Sequence, residues 1–421
     1  MFQMFCLLPK PRSQTLKLIV IVLLLNLLLS FTVVWYSTTP AENSRSSVQD
    51  SRLLLSLEYT GDTGQESETT HTVPDTPQID SKHKQVINSE VLDNKVPKDS
   101  DVTHIDTSQG VFDKSRKFRS HMFSMVGRSW SSLSLSRSLC LGAQTSVDRL
   151  YELVELVSNW SGPMSIAVFV PGVELAVGLR YIQYLRDCNQ DIRNQVSFHL
   201  TYPVDHQGVP HHPDLQEVVG NMDCKQPKQV LKYLLNVRNK EMLGWRESYP
   251  YPQNLLRNLA KNGCQTNYTY IPDIDMVPTP GMDLQLETFI KKQEEMNNCT
   301  KCAYVIPTYE ITSNSTHLPS NKTELLQFVK NKQARQFHQA LYSINQKSSN
   351  LKKWEKIPEA EELDIAYKVE KYIFKYEPLY IARGDTPAFD ERFIGFGMTR
   401  NTQVTNEDWD KVSYHSPVVG V

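Results

Sequence analysis

The sequence carries almost no net charge: formally −2 over 421 residues. No basic excess marks a surface for a phosphate backbone, so nucleic acid is excluded as a partner. Cysteine is scarce, seven in all. The one close pair, Cys299 and Cys302, has no second pair beside it to complete a zinc site, which leaves a structural role. Residues 37 to 135 are poor in apolar side chains, and Ser, Thr, Asp, Glu, Gln and Lys fill them instead. Such a stretch cannot bury enough surface to fold and is expected to be a disordered stem. Its one apolar island, "RLLLSL" at 52 to 57, reads as a short helix.

One run lacks charge altogether. "LIVIVLLLNLLLSFTVVWY", residues 18 to 36, nearly spans a hydrocarbon core of about 30 Å at 1.5 Å per residue. Lys10, Arg12 and Lys17 precede it, and the positive-inside rule keeps that flank cytosolic. The run is longer than a signal-peptide core and ends in bulky Trp35 and Tyr36 rather than at a small-residue cleavage site. An uncleaved anchor is expected, with a cytoplasmic tail at 1–17 and everything after 36 in the secretory lumen. The six cysteines beyond it, at 140, 188, 224, 264, 299 and 302, can then form disulfides whose pairing the sequence leaves open. Glycosylation sequons at Asn159, Asn267, Asn298, Asn314 and Asn321 agree with that compartment. Asn267 is discounted, because a glycan there would compete with the packing of the apolar stretch it opens.

From residue 136 the pattern becomes that of an α/β domain. "SVDRLYELVELVSNW" sets Val147, Leu150, Val154 and Val157 on one helical face. "PMSIAVFV" and "QVSFHLTYP" read as buried strands, with the helix "VELAVGLRYIQYLRDC" between them. This is the signature of a crossover in a parallel sheet. "PKQVLKYLLNVRNK" and "PQNLLRNLAKNG" read as helices opened by Pro, the second closed by Gly263. "YTYIPDID" reads as a strand that delivers Asp273 and Asp275 at its carboxyl end, where open α/β sheets bind ligands. "CAYVIPTYEI", 302 to 311, reads as one more strand.

Two carboxylates one residue apart at such an end can converge on a hard divalent cation that keeps positions open for phosphate oxygens. A turn built from Asp, Pro and Gly is the plainer account of "DIDMVPTPG". Around it, Gln144, Thr145 and Asp148 stand where a first strand gives way to a helix, and a helix N-terminus attracts nucleotide phosphates. Thr145 or Ser146 also fits an N-cap. Arg257 and Asn258 sit on the helix before the aspartates. Arg257 can pair bidentately with a phosphate or carboxylate, or stand as an ordinary surface arginine. Asp390 and Glu391 in "PAFDERF" suit a general base or a helix-start ion pair. Glu310 and Glu377 are weaker candidates for acceptor contacts. Trp245, Tyr249 and Tyr251 offer a wall for a sugar or a piece of core.

The order and spacing of "YPQNLLRNLA", "DIDMVP", "YVIPTYEI", "NKTELLQFV" and "YEPLYIARGDTPAFDERFIGFG" resemble glycosyltransferase family 49 over residues 140 to 403. The resemblance implies a GT-A glycosyltransferase domain at 136–403, a Rossmann-like nucleotide-binding half joined to an acceptor half. It implies a single-pass type II protein of the Golgi membrane. It implies manganese-dependent, inverting transfer of glucuronic acid from UDP-glucuronic acid to xylose in the O-mannosyl glycan of alpha-dystroglycan. On the matched residues it gives Asp273 to ribose and metal, Asp275 to metal, Thr145, Arg257 and Asn258 to the donor, and Asp390 or Glu391 to the role of base. Residues 404–421 depart from the family, which continues with a late metal-binding His that the "YHSP" context of His415 does not match. Low activity is therefore expected of this chain. The alternative is a catalytically impaired partner that assembles with other glycosyltransferases.

Overall fold

The protein is described from a computed structural model at residues 52–55, 105–215, 222–296, 301–313, 315, 317–371, 373, 375–395, 397, 399–404 and 413–419. The uncharged run 18–36, Cys299, Asn298 and Asn314 lie outside these residues. Among the described residues no helix is long and apolar enough to cross a membrane.

The strands, in chain order, are β1 (Arg52–Leu55), β2 (Val111–Phe112), β3 (Phe118–Met125), β4 (Leu139–Ser146), β5 (Met164–Phe169), β6 (Val196–Pro203), β7 (Tyr268–Tyr270), β8 (Met276–Pro278), β9 (Cys302–Val305), β10 (Thr308–Ile311), β11 (Ala334–Gln336), β12 (Asp364–Lys368), β13 (Tyr380–Arg383) and β14 (Ser413–Val419). The larger sheet has the order β12-β14-β9-β13-β7-β4-β5-β6-β3-β2, and the smaller one β11-β10-β1-β8. The centre of the larger sheet is parallel: β4 pairs with β5 and with β7, and β5 with β6. Strands buried on both faces carry apolar side chains in near-continuous runs, and β5 and β6 are buried at every position. The crossover helix Glu174–Cys188 connects them and buries Leu175, Val177, Ile182 and Leu185 against the sheet. A mixed α/β domain with this parallel centre fits the GT-A expectation.

Several expectations are corrected by the chain itself. Order is already present from Ile105, so residues 105–135 are not stem: β3 pairs antiparallel with β6 and buries Phe118, Phe123 and Met125. The island at 52–57 is not helical. Its backbone forms β1, between β8 and β10. Three consecutive leucines suit a paired strand as well as a helix, and periodicity cannot separate the two in so short a run. The segment 302–311 is two strands in two different sheets, β9 and β10, broken at Ile306 and Pro307 because proline donates nothing to a ladder. The helix at 147–157 opens as a 3-10 turn, Val147–Glu152, before becoming α-helical at Leu153–Val157. Tighter winding moves the buried face to Val147, Leu150, Leu153, Leu156 and Val157. Within the divergent ending, Ser413–Val419 form β14, which pairs parallel with β9 and antiparallel with β12.

Two disulfides are described. Cys140–Cys264 ties the start of β4 to the residue after the helix Gln253–Gly263, and Cys188–Cys224 ties the end of the crossover helix to the loop before the helix Pro227–Leu234. Cys302 is disulfide-bonded as well. Asn267 is exposed, with Tyr268 the first buried residue after it, so packing is no obstacle to a glycan there. Asn321 caps the helix Lys322–Lys330, its side chain accepting from the Glu324 amide.

Candidate functional site

The helix Gln253–Gly263 explains how the site is assembled. Asn254, Arg257, Asn258 and Lys261 fall at i, i+3, i+4 and i+7, a polar stripe that would ordinarily face water. Here the stripe is buried, with Arg257 only 2% exposed, because residues 386–391 and 399–402 fold over it. Lys261 donates to the Thr386 carbonyl. Asn258 donates to the Phe389 carbonyl and to Glu391, and accepts from the Phe389 amide. Asn254 donates to the carbonyls of Asp390 and Thr399. The opposite face, Leu255, Leu256 and Ala260, packs with Ala167 and Phe169 of β5. Desolvation holds Lys261 down at about 8.

β7 ends at Tyr270, opposite Leu141 of β4. Three residues on, Asp273 re-forms a parallel bridge with Gln144. This bridge presents the carboxylate at the C-terminal edge of the sheet. Its Oδ1 accepts from Gln144 Nε2 at 3.1 Å, Arg257 Nη2 at 3.0 Å and Arg400 Nη2 at 3.0 Å. Burial pushes the Asp273 carboxyl up, but Arg257 and Arg400 outweigh it and hold the group well below the usual carboxylate range. The cost falls on Arg257, which burial and the neighbouring Arg400 push down to about 10. Asp275 points elsewhere. Its Oδ2 accepts from Arg149 at 2.8 Å. Burial and the nearby Asp273 charge raise its pKa, against the pull of Arg149. Gly281, at φ 76°, then turns the chain into the helix Met282–Glu295, a left-handed conformation that glycine adopts without penalty.

Beside this pair lies an ionic cluster that the sequence did not reveal. Asp148 faces Arg246 at 3.0 Å and Arg238 at 3.8 Å. Both arginines also approach Glu174 at ion-pair distance, 3.1 and 2.6 Å, without hydrogen-bond angles. Glu174 is fully buried, and desolvation pushes it up to about 7 despite both cations. A second unforeseen network includes His338, held at φ 57°. Its amide donates to Glu310, its Nδ1 meets Asn345 Nδ2, and the same Asn345 amide reaches Glu377 at 3.3 Å. β13 runs antiparallel to β7 with Ile381 opposite Tyr270. Residues just before β13, Glu377 among them, therefore lie beside those that follow β7. Glu310 and Glu377 are thus linked through His338 and Asn345.

The remaining sequence candidates separate. Thr145 is buried inside β4 with its hydroxyl on the Ser146 carbonyl; it presents no group to a nucleotide. Ser146 holds the cap position with no side-chain cap bond. The Asn258 amide is spent on the 389–391 segment. Asp390 is paired with Arg392, at 2.5 Å, and Glu391 with Asn258. Both line a cleft of about 920 Å³ together with Lys114, Lys117, Phe118 and Phe389; Asp273 and Asp275 are not among its lining residues. Tyr249 and Tyr251 pack on Phe169, and Trp245 stacks between His206 and Tyr249, so the aromatic wall is largely core. Tyr251 also donates to Gln144.

Among the described residues no three or more His, Cys, Asp or Glu side chains gather as a metal cluster. The donor chemistry still suits a hard cation that arrives with its substrate, because such ions are often held by one or two carboxylates plus phosphate oxygens. Asp275 is the better-placed of the two, since Asp273 Oδ1 is already saturated by three donors. In this structure the Arg149 guanidinium occupies Asp275 Oδ2.

Comparison with known proteins gives consistent relatives. The profile described as "Glycosyl-transferase for dystroglycan" matches residues 138–407. The chain is 33% identical over 265 residues to beta-1,4-glucuronyltransferase 1 of Homo sapiens, covering 62% of each chain. It is 27% identical over 270 residues to the protein of that name from Danio rerio, covering 64% of this chain and 62% of the relative. It is 26% identical over 273 residues to the Xylosyl- and glucuronyltransferase LARGE1 of Homo sapiens, covering 65% of this chain and 29% of the relative. The match thus spans about 62% of the length of the first of these relatives.

Proposed function

The chain belongs to the glycosyl-transferase family for dystroglycan, and from that premise we propose that it is a UDP-sugar-dependent glucuronyltransferase. Glucuronic acid passes from UDP-glucuronic acid to a terminal xylose, with inversion, on an O-mannosyl glycan of an alpha-dystroglycan-like acceptor. The observation that carries the reading is the Asp273–Asp275 pair at the C-terminal edge of β7. It is joined to β4 by the Gln144 bridge and surrounded by arginines, in a chain whose relatives are named for glucuronyl transfer.

The residues divide the work. Arg257 and Arg400 fix Asp273 as a permanent anion, so its strand end keeps its shape and charge whether or not substrate is present. Asp275 would hold the divalent cation, manganese, and that ion supplies neutralisation of the charge growing on the UDP leaving group. Asp390 and Glu391 face the neighbouring cleft, where the acceptor hydroxyl gives up its proton. Of the two, Glu391 accepts from the neutral Asn258 amide, whereas Arg392 lowers the basicity of Asp390. The protein is proposed to sit in the Golgi membrane as a single-pass type II protein with this domain in the lumen.

The test is the purified domain with UDP-glucuronic acid, manganese and a xyloside acceptor. Glucuronylated xyloside, formed slowly, is the expected product. Turnover of UDP-xylose in place of UDP-glucuronic acid would replace the donor assignment. A second reading, a non-catalytic partner of other transferases, draws on the lack of a three-ligand cluster among the described residues. Donor binding with neither transfer nor donor hydrolysis would favour it.

A further inference from the structure

The arginines around Asp273 and Asp275 are not equivalent. The side chains of Arg257, Arg400, Arg238 and Arg246 are 3%, 8%, 13% and 17% exposed; the first two meet Asp273 and the last two approach the fully buried Glu174. The Arg149 side chain is 48% exposed. One of its nitrogens, Nη2, serves two carboxylates from different elements. It lies 2.8 Å from Asp275 Oδ2, and 3.0 and 2.9 Å from the two oxygens of Glu152. Glu152 stands three residues on in the same helical turn, so that partner travels with Arg149. Asp275 belongs to the opposite side of the site, 126 positions away in the chain.

A guanidinium and a divalent cation cannot share one carboxylate oxygen at contact distance, because two positive charges a few ångströms apart repel. Arg149 must leave Asp275 when a cation arrives. It can leave without being stranded, because Glu152 keeps it paired and its exposed stem leaves it room. Glu152 also holds the guanidinium at the edge of the site instead of releasing it to solvent. A cation that docks on Asp275 brings the anionic oxygens of the nucleotide sugar to the same edge, and a guanidinium fork suits such oxygens.

We propose that Arg149 is an exchangeable counter-ion: it neutralises Asp275 in the empty site, yields Asp275 to the divalent cation, and then pairs with an anionic oxygen of the bound donor. This rests on the reading of Asp275 as the cation's carboxylate. Arg149 thereby links the order of events. Without a cation the arginine covers the carboxylate; with one, it becomes part of the donor site. The donor offers two sources of such an oxygen, the diphosphate and the uronate carboxylate.

The experiment uses the full chain and the Arg149→Gln and Arg149→Lys variants, with thermal melts to confirm folding. Manganese affinity without nucleotide is read from the loss of free Mn2+ signal by electron paramagnetic resonance. UDP and UDP-glucuronic acid affinities at saturating manganese are read by calorimetry. Arg149→Gln is expected to bind manganese alone about tenfold more tightly, since its competitor is gone, and to bind UDP-glucuronic acid about tenfold more weakly, the scale of one charge-assisted hydrogen bond. Arg149→Lys should fall between wild type and Gln in both. An equal loss for UDP and UDP-glucuronic acid assigns the partner as diphosphate; a loss confined to UDP-glucuronic acid assigns the uronate. If wild type binds manganese and UDP-glucuronic acid and Arg149→Gln matches it in both, the exchange is overturned while the site reading stands. If wild type binds neither, the site reading fails and takes the exchange with it.

Discussion

At the residue scale, Asp273 and Asp275 look alike in the sequence and differ in the structure. Both followed from their place after an apolar run, since a strand end in a parallel sheet is where such a pair is useful. Their partners did not, because Arg149 and Arg400 lie 126 and 127 positions from the aspartates they meet. No spacing rule spans that distance. The division of roles gives two tests. Asp275→Asn should leave the melting temperature near that of wild type and remove transfer at saturating manganese, because an amide keeps the shape and loses the charge a hard cation needs. Undiminished turnover would take Asp275 out of the mechanism. Arg257→Met should act on the fold instead. Stripping one partner from a buried ion pair costs about 3–5 kcal/mol, and the lower end applies because Arg400 remains on Asp273. Urea unfolding of the two proteins measures the difference.

Among the elements, the central strands and the helices opened by Pro227 and Pro252 were legible, because burial on both faces leaves a continuous apolar run and proline marks a helix start. The helix Gln253–Gly263 shows the opposite case. Its stripe of Asn254, Arg257, Asn258 and Lys261 has the spacing of a solvated face, and nothing local says that residues more than 120 positions later will cover it. Gly263 is similar. It reads as a helix stop, yet its lack of a side chain serves a close approach: an added Cβ would lie 2.1 Å from His199 Nε2 and 2.2 Å from Ser165 Oγ. Gly263→Ala should therefore destabilise by about 1–3 kcal/mol, the range for overpacking. His199 carries a pH dependence of its own. It accepts from the Phe123 amide at Nδ1 and meets Ser165 at Nε2, and full burial pushes it down to about 3. Its folded value lies below the ordinary 6.5. The unfolded chain therefore takes the proton first, and stability present above pH 6.5 is lost as pH falls toward 3. The loss at pH 5 is about 2 kcal/mol. His199→Gln should flatten the dependence of urea midpoint on pH between 6.5 and 5; an unchanged slope would show that other groups set it.

For the whole molecule, the domain boundaries were the least legible part. Residues 105–135 hold more apolar side chains than the stretch before them, Phe112, Phe118, Phe123 and Trp130 among them. They are ordered because β3 finds β6, a long-range pairing that is hidden when the whole polar stretch is read as one. In the ending, β14 pairs with β9 and β12, contacts that a departure from the family pattern neither predicts nor excludes. A chain ending at residue 404 should lose that pairing, and its melting temperature should fall by several degrees, as about 1 kcal/mol moves a domain of this size by about 2–4 °C. Protease protection of residues beyond 140 in intact microsomes is the outcome expected of the type II orientation; digestion without detergent would reverse it. The Cys140–Cys264 bridge adds a constraint on biogenesis. Its two cysteines are separated by 124 residues, and the Cys188–Cys224 pair, 36 apart, lies wholly inside that interval. A ribosome adding about 5–20 residues per second exposes the Cys140 thiol for about 6–25 s before its partner is made. Cys188 and Cys224 emerge first. The inner pair must close on itself promptly, or Cys140 is captured by the wrong thiol and β4 is tethered away from the strand that brings the aspartates beside it.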